Sequence, residues 1–472
     1  MIHRLSYLIF SLQFFPNKAP RRGTDGYTAD ALAVTRPGAF SVFPGGRPPD
    51  VDSDTEYGDI EIGDSDPDPE PGPRLIEAEK VTPLKAAEAR AAWSTRRFLL
   101  IGAAIILLTG GITAAVVVRT VDVGSSEPQQ ETPLQVFETA EELRNAVALH
   151  ISGNTTSTAP IYGEVITTWD VSKVSNFSGL LASLEEGDAF EEFNEDISGW
   201  ETGQVTDMTD CFRGAKIFNQ DISMWDVSNV TSMAGMFDGA ALFNQPIGDW
   251  NVTSLLEMEG MFKDAQLFNQ NIDDWDVSAI VSMNSVFRGA SSFNNEIGHW
   301  NTSSVEDMGF MFSEALEFNR PIGEWDMSAV NTIRAMFMGA TSFNQPIGHW
   351  DVSCVEEFFR AFRDASSFNQ FIGGWKTLSA QRMGQMFRDA KVYNQPIGAW
   401  NMSLVTSIDS MFRGASSFNQ PLGHWDTSSL LYGTAAFWGA ESFDQPIGAW
   451  DVSLMEEATR MFYQASSFNQ RK

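Results

Sequence analysis

Seven aspartates, Asp170, Asp226, Asp276, Asp326, Asp351, Asp426 and Asp451, each directly follow a tryptophan. Carboxylates are hard oxygen ligands of the kind calcium takes, and a rank of them about 5 Å apart repels itself unless a cation or a basic partner lies between them. One chemistry suggested by this spacing is calcium-assisted binding, with Asp226, Asp276, Asp326, Asp351, Asp426 and Asp451 as ligands. The other reading is a solvated face with local capping bonds. Asn251, Asn301, Asn401, Glu201 and Lys376 hold the same position, and a strict ladder of ligands would not tolerate the lysine.

Catalytic chemistry finds no foothold. The histidines are His3, His150, His299, His349 and His424, and the last three share the position before tryptophan, where exposed substitutions are expected. The sequence holds no His/Cys grouping at metal spacing, no glycine-rich phosphate loop after a strand and no G-x-S-x-G elbow. The expectation is a protein without catalytic activity or cofactor.

A repeating element must set these positions. Trp200, Trp225, Trp250, Trp275, Trp300, Trp325, Trp350, Trp375, Trp400, Trp425 and Trp450 keep one interval of 25 residues without slippage. Stacked copies of one unit hold such an interval because every coil must put its large ring in the same place. Trp169 lies 31 residues before Trp200, which places a six-residue loop near Leu184–Ala189.

Within the unit that starts at Trp225, Val230, Met233, Met236, Phe237 and Ala240 recur at helical spacing, which predicts a short helix. Ser228 is placed as its N-cap and Gly239 at its exit. Around Ile247–Val252 the alternation predicts a strand opened by Pro246. The expected fold class is therefore α/β, a leucine-rich-repeat-like solenoid of strand-helix coils. Asn219, Asn244, Asn269, Asn294, Asn319, Asn344, Asn369, Asn394, Asn419 and Asn469 should form a structural ladder at a turn, and Phe243 with its equivalents an apolar column. Cys211 and Cys354 are about six coils apart, ~29 Å at a strand spacing of ~4.8 Å, too far for a disulfide.

The remaining organisation follows from composition. Residues 16–97 are rich in Pro, Gly, Arg and Asp, and the whole segment 1–97 is expected to be disordered and cytoplasmic. Residues 98–118 carry no charge and are long enough for a transmembrane helix. A linker, 119–133, follows, then a capping helix within 134–160, where Phe137, Ala140, Leu143, Val147 and Ile151 share a face, and the solenoid over 161–472. The basic flank before the span places the repeats outside the cell or in a lumen. Residues 2–15 resemble the apolar stretch of a signal peptide, which, if cleaved, would reverse that orientation. The sequons at Asn154, Asn176, Asn229, Asn251, Asn301 and Asn401 all follow the span, although the repeat itself generates those at Asn251, Asn301 and Asn401. A net charge of −31 argues against nucleic acid and against docking on anionic lipid.

The block M-F-x-G-A-x-S-F-N-Q-P-I-G-x-W-D-V-S-x-V, seen with small changes from Met411–Phe412 through Trp425, resembles the BspA-like repeat surface proteins over about residues 160–470. The resemblance implies a leucine-rich-repeat-like solenoid with a surface adhesion or ligand-binding role, and no catalytic residues. The expected function is a membrane-anchored surface protein whose solenoid binds a protein or glycan. The alternatives are a receptor whose N-terminal segment recruits cytosolic partners, and an intracellular scaffold if the topology is reversed.

Overall fold

The structure, a computed structural model, describes residues 134–153, 158, 161–182 and 189–470. At its N-terminal side lies helix α1, Ala140–Ile151, shorter than the apolar pattern that begins at Leu134. Thr139 starts it: its hydroxyl accepts the Glu142 N–H at 3.2 Å, and the Glu142 carboxylate reaches back to the Glu138 N–H at 3.0 Å. Residues before the helix pair instead with the first coil, Phe137 N–H donating to Asp170 O at 3.0 Å. Leu143, Ala146 and Val147 form the buried face of α1. Phe137 stacks on Tyr162 at 3.9 Å and lies 5.3 Å from Trp169, so α1 and its lead-in cover the first coil.

The repeats differ from the expected strand-helix coils. Met233, Met236, Phe237 and Ala240 are all buried, yet they stand on successive tight turns and not on a helix. Met236 N–H returns to Met233 O at 3.1 Å, Asp238 N–H to Gly235 O at 2.9 Å and Ala240 N–H to Phe237 O at 3.0 Å. Gly235 and Gly239 have φ of 61° and 74°, the sign that the third residue of a type II turn requires. The intervening N–H groups point to the next coil: Met233 to Glu257 O, Gly235 to Glu259 O, Phe237 to Met261 O and Gly239 to Lys263 O, at 2.7–2.9 Å. The parallel ladder therefore runs through the half that the apolar spacing predicted as helix.

The predicted strand half is corrected in the opposite sense. Trp250 N–H turns back to Ile247 O at 3.2 Å, and this side is tied to its neighbours largely by side chains. Trp250 Nε1 donates to Ile222 O and Trp275 Nε1 to Ile247 O, both at 3.3 Å. Each coil has a single isolated bridge residue, such as Asp207 to Ser232 and Ser232 to Glu257. From Ile166 onward the described residues hold no α-helix, and the fold is a turn-and-bridge solenoid in place of an α/β one.

Three aromatic columns fill the interior. Trp200 and Trp225 stack at 6.4 Å, Phe212 and Phe237 at 5.5 Å, and Phe218 and Phe243 at 5.9 Å, with near-parallel planes. Within a coil Phe237 and Phe243 lie face to face at 3.9 Å. Such pairs contribute ~1 kcal/mol each beyond the area they bury, which explains why the interval cannot slip.

The expectation of a single-pass membrane protein with extracellular or luminal repeats is also corrected. No helix among the described residues is long and apolar enough to cross a membrane. The 12 residues of α1 reach ~18 Å against the ~30 Å of a bilayer core. The apolar run at 98–118 lies outside the described residues, as do the segments 1–97 and 119–133, Asn154 and the insertion at 184–188.

Candidate interaction faces

The aspartates after tryptophan are exposed, as expected, because the tryptophan before them and, except at Val452 in the last coil, the residue after them face the core. Each carboxylate closes a local turn. Asp276 Oδ1 accepts the Ser278 N–H at 3.1 Å and its hydroxyl at 2.6 Å, and Asp326 does the same with Ser328 at 2.9 and 2.6 Å. Asp226, Asp351, Asp426 and Asp451 accept from Ser228, Ser353, Ser428 and Ser453. These hydrogen bonds hold the six carboxyl groups below their ordinary acidity range. Ser228 is thus a donor to an aspartate and not the helix cap predicted for it.

Asn251, Asn301 and Asn401 use Oδ1 identically, toward Thr253, Ser303 and Ser403. Charge is therefore optional for this turn bond, and Lys376 at the same position means that not every coil requires an acceptor there. Among the described residues no group of three or more His, Cys, Asp or Glu is placed to hold a metal ion.

The same bonds describe the sequons. Asn251, Asn301 and Asn401 sit in these turns, with Oδ1 engaged. Asn176 donates Nδ2–H to Asp207 at 3.1 Å and Asn229 to Gly203 O at 2.9 Å.

The asparagine ladder is present. Asn219 Oδ1 accepts Asn244 N–H at 2.9 Å and Gln245 Nε2 at 2.9 Å, and Asn244 repeats this toward Asn269 and Gln270. Asp444 takes the asparagine's place with the same geometry, accepting Asn469 N–H at 3.1 Å. His299, His349 and His424 are exposed, and a hydrogen bond to Asp273 raises the pKa of His299. Both cysteines are free: Cys354 is exposed, and Cys211 lies in the core, where burial pushes its thiol up.

Sequence reasoning missed the outer side of the turn ladder. Its charges lie one coil apart in a column that contains Arg213, Asp238, Lys263 and Arg288, then Arg363, Arg388 and Arg413, and ends near Trp438. Asp238 sits between Arg213 and Lys263, 3.5 Å from each. Burial raises its pKa, and the two cations pull the other way. In the second half Arg363 and Arg388 pair with the carboxylates beside them in sequence, Asp364 at 3.1 Å and Asp389 at 3.4 Å, and Arg363 also donates to Gln385 Oε1 at 3.4 Å. Arg413 is followed by Gly414, and its guanidinium lies 4.5 Å over Trp438. A signal was available, because basic residues at 25-residue spacing are uncommon in so acidic a chain.

This architecture matches a known repeat family. No curated protein is significantly similar to the chain. A family model described as "Mycoplasma protein of unknown function, DUF285" matches three times in tandem, over residues 153–275, 256–375 and 356–472, and on that coverage the chain belongs to this family.

Proposed function

We propose that this protein is a non-catalytic binding scaffold, whose solenoid presents a surface to a protein or glycan ligand. The observation that carries this reading is the contrast between the two sides of one coil. Inside, tryptophan and phenylalanine repeat at fixed positions through the stack. Outside, one position next to the bridge holds Glu259, Asn284, Arg334, Phe359, Asp409 and Thr434 in different coils. A regular core under a non-repeating surface is how repeat proteins build extended binding faces. The likeness to BspA-like repeat proteins supports the same reading.

Purified full chain applied to a panel of glycans and proteins is expected to bind at least one component saturably and to leave it chemically unchanged. No saturable binding, or equal binding by heat-denatured chain, would sink the proposal. Turnover of a bound component would replace it with an enzymatic reading.

A further inference from the structure

The charged column along the turn ladder is built in two ways. In its first part Asp238 separates Arg213 from Lys263 and pairs with both, before Lys263 and Arg288 follow one another with like sign. In its second part Arg363, Arg388 and Arg413 stack with like sign in three successive coils. Burial and the two flanking guanidiniums lower the pKa of Arg388 against the opposing pull of Asp389. Like charges about one coil apart, ~4.8 Å, repel by several kcal/mol at an effective dielectric near 20 before compensation. Asp238, 3.5 Å from both Arg213 and Lys263, offsets that repulsion in the first part. In the second part Asp364 and Asp389 pair with Arg363 and Arg388, and three arginines against two aspartates leave the column with a net positive charge in a chain of net charge −31.

Neighbouring positions extend the patch. Arg334 lies over two rings, 5.7 Å from Phe310 and 5.5 Å from Phe359, and Arg360 lies 4.6 Å over Phe359. Stacking holds the planar guanidinium against the ring and is compatible with hydrogen bonding at its N–H edge. Phe310, Phe359 and Trp438 are half-exposed, which adds apolar platforms between the cations. The acids facing this patch are Glu356, Glu357, Asp364, Asp389 and Asp409. Glu357 is committed to Arg382 at 3.1 Å, and Asp409 accepts the Thr434 N–H at 2.7 Å.

We propose that the Arg363–Arg388–Arg413 column, with Phe359 and Trp438 beside it, is a binding site for an acidic polysaccharide running along the solenoid axis. Three features select this class. A guanidinium matches a carboxylate or sulfate in a two-pronged hydrogen bond. A pyranose advances along its chain by about one coil of ~4.8 Å, whereas an extended peptide rises only ~3.3 Å per residue. The half-exposed rims of Phe359 and Trp438, whose faces carry Arg360 and Arg413, add apolar contact for the C–H sides of sugars. The net charge of the whole chain disfavours the denser phosphates of a nucleic acid.

This inference rests on the binding reading above and is tested with the full chain by biolayer interferometry. The probes are polygalacturonate and dextran sulfate, with neutral dextran, poly-glutamate and oligo(dT) for comparison. Binding to at least one of the two acidic polysaccharides is expected, weakening as salt rises, with little binding to dextran. The triple variant Arg363→Gln, Arg388→Gln, Arg413→Gln should weaken it at least tenfold, while Arg213→Gln leaves it within twofold. If the triple variant does not fold, Arg413→Gln alone must weaken binding at least threefold. Equal or stronger binding to poly-glutamate or oligo(dT), no binding to either acidic polysaccharide, or binding unchanged in the folded arginine variants would overturn the site. A neutral glycan or protein bound equally by wild type and triple variant would overturn the site and leave the scaffold reading standing.

Discussion

The carboxylate of Asp264 occupies the space that a Cβ on Gly289 would need, one coil further along the stack. Both residues have positive φ, 55° and 70°. Asp389 and Gly414 repeat the relationship. Gly289→Ala must therefore accept left-handed backbone strain and displace a carboxylate. The expected cost is about 2 kcal/mol in chemical denaturation, falling to about 1 kcal/mol when Asp264→Gly is added. Equal costs in both backgrounds would show that the carboxylate moves away freely.

Three buried hydroxyls lack partners among the described residues, Ser313 Oγ, Tyr393 Oη and Thr434 Oγ1. Tyr393 replaces phenylalanine in the column, 5.8 Å from Phe368 and 6.2 Å from Phe418. Burial raises its pKa well above the ordinary value. Tyr393→Phe is expected to stabilise the protein by about 1 kcal/mol, since it removes an unsatisfied buried polar group at nearly constant shape. A lower denaturation midpoint would mean that a bound water satisfies the hydroxyl.

Asn344 Oδ1 accepts both Asn369 N–H at 3.0 Å and Gln370 Nε2 at 3.1 Å. Asn344→Ala leaves a backbone donor without its partner and should cost about 2 kcal/mol. Asn344→Asp should cost clearly less, because Asp444 performs the same role toward Asn469 and Gln470. Thermal melting of the pair of variants, read by tryptophan fluorescence, distinguishes an acceptor requirement from a demand for the amide.

The turn aspartates set a pH dependence. Serine hydrogen bonds lower the folded pKa of Asp226, Asp276, Asp326 and Asp351. A lowered folded pKa means stability that is present above the unfolded value and lost as pH falls through the folded one, below about pH 4. A variant with all four changed to asparagine keeps the acceptors and should melt with a flatter acid limb than wild type. The same samples test the cation question: chelation at neutral pH is expected to leave the wild-type melting temperature unchanged, and a calcium-dependent rise would restore the ligand reading.

The sequence by itself determined the repeat, its register and its core. Trp225 through Trp450 at one interval, with the phenylalanines and asparagines in phase, left one solution for the stacking, because a ring column cannot slip by a residue without exposing every ring. The outward position of the aspartates followed from the same alternation.

Only the tertiary structure decided how the backbone threads those positions. Met233, Met236, Phe237 and Ala240 carry the spacing of a helix, but a run of overlapping four-residue turns places the same residues inward. The two differ in where alternate N–H groups go, and that choice depends on a neighbouring coil 25 residues away. Glycines at 235 and 239 were the local trace of it, since glycine inside a helix costs ~1 kcal/mol relative to alanine. Residues such as Ala335, Arg360 and Gln385, which hold the same left-handed conformation without being glycine, concealed the pattern. The cationic column was hidden for a related reason. Whether Arg363, Arg388 and Arg413 repel or are neutralised depends on which side chains the stacking brings between them.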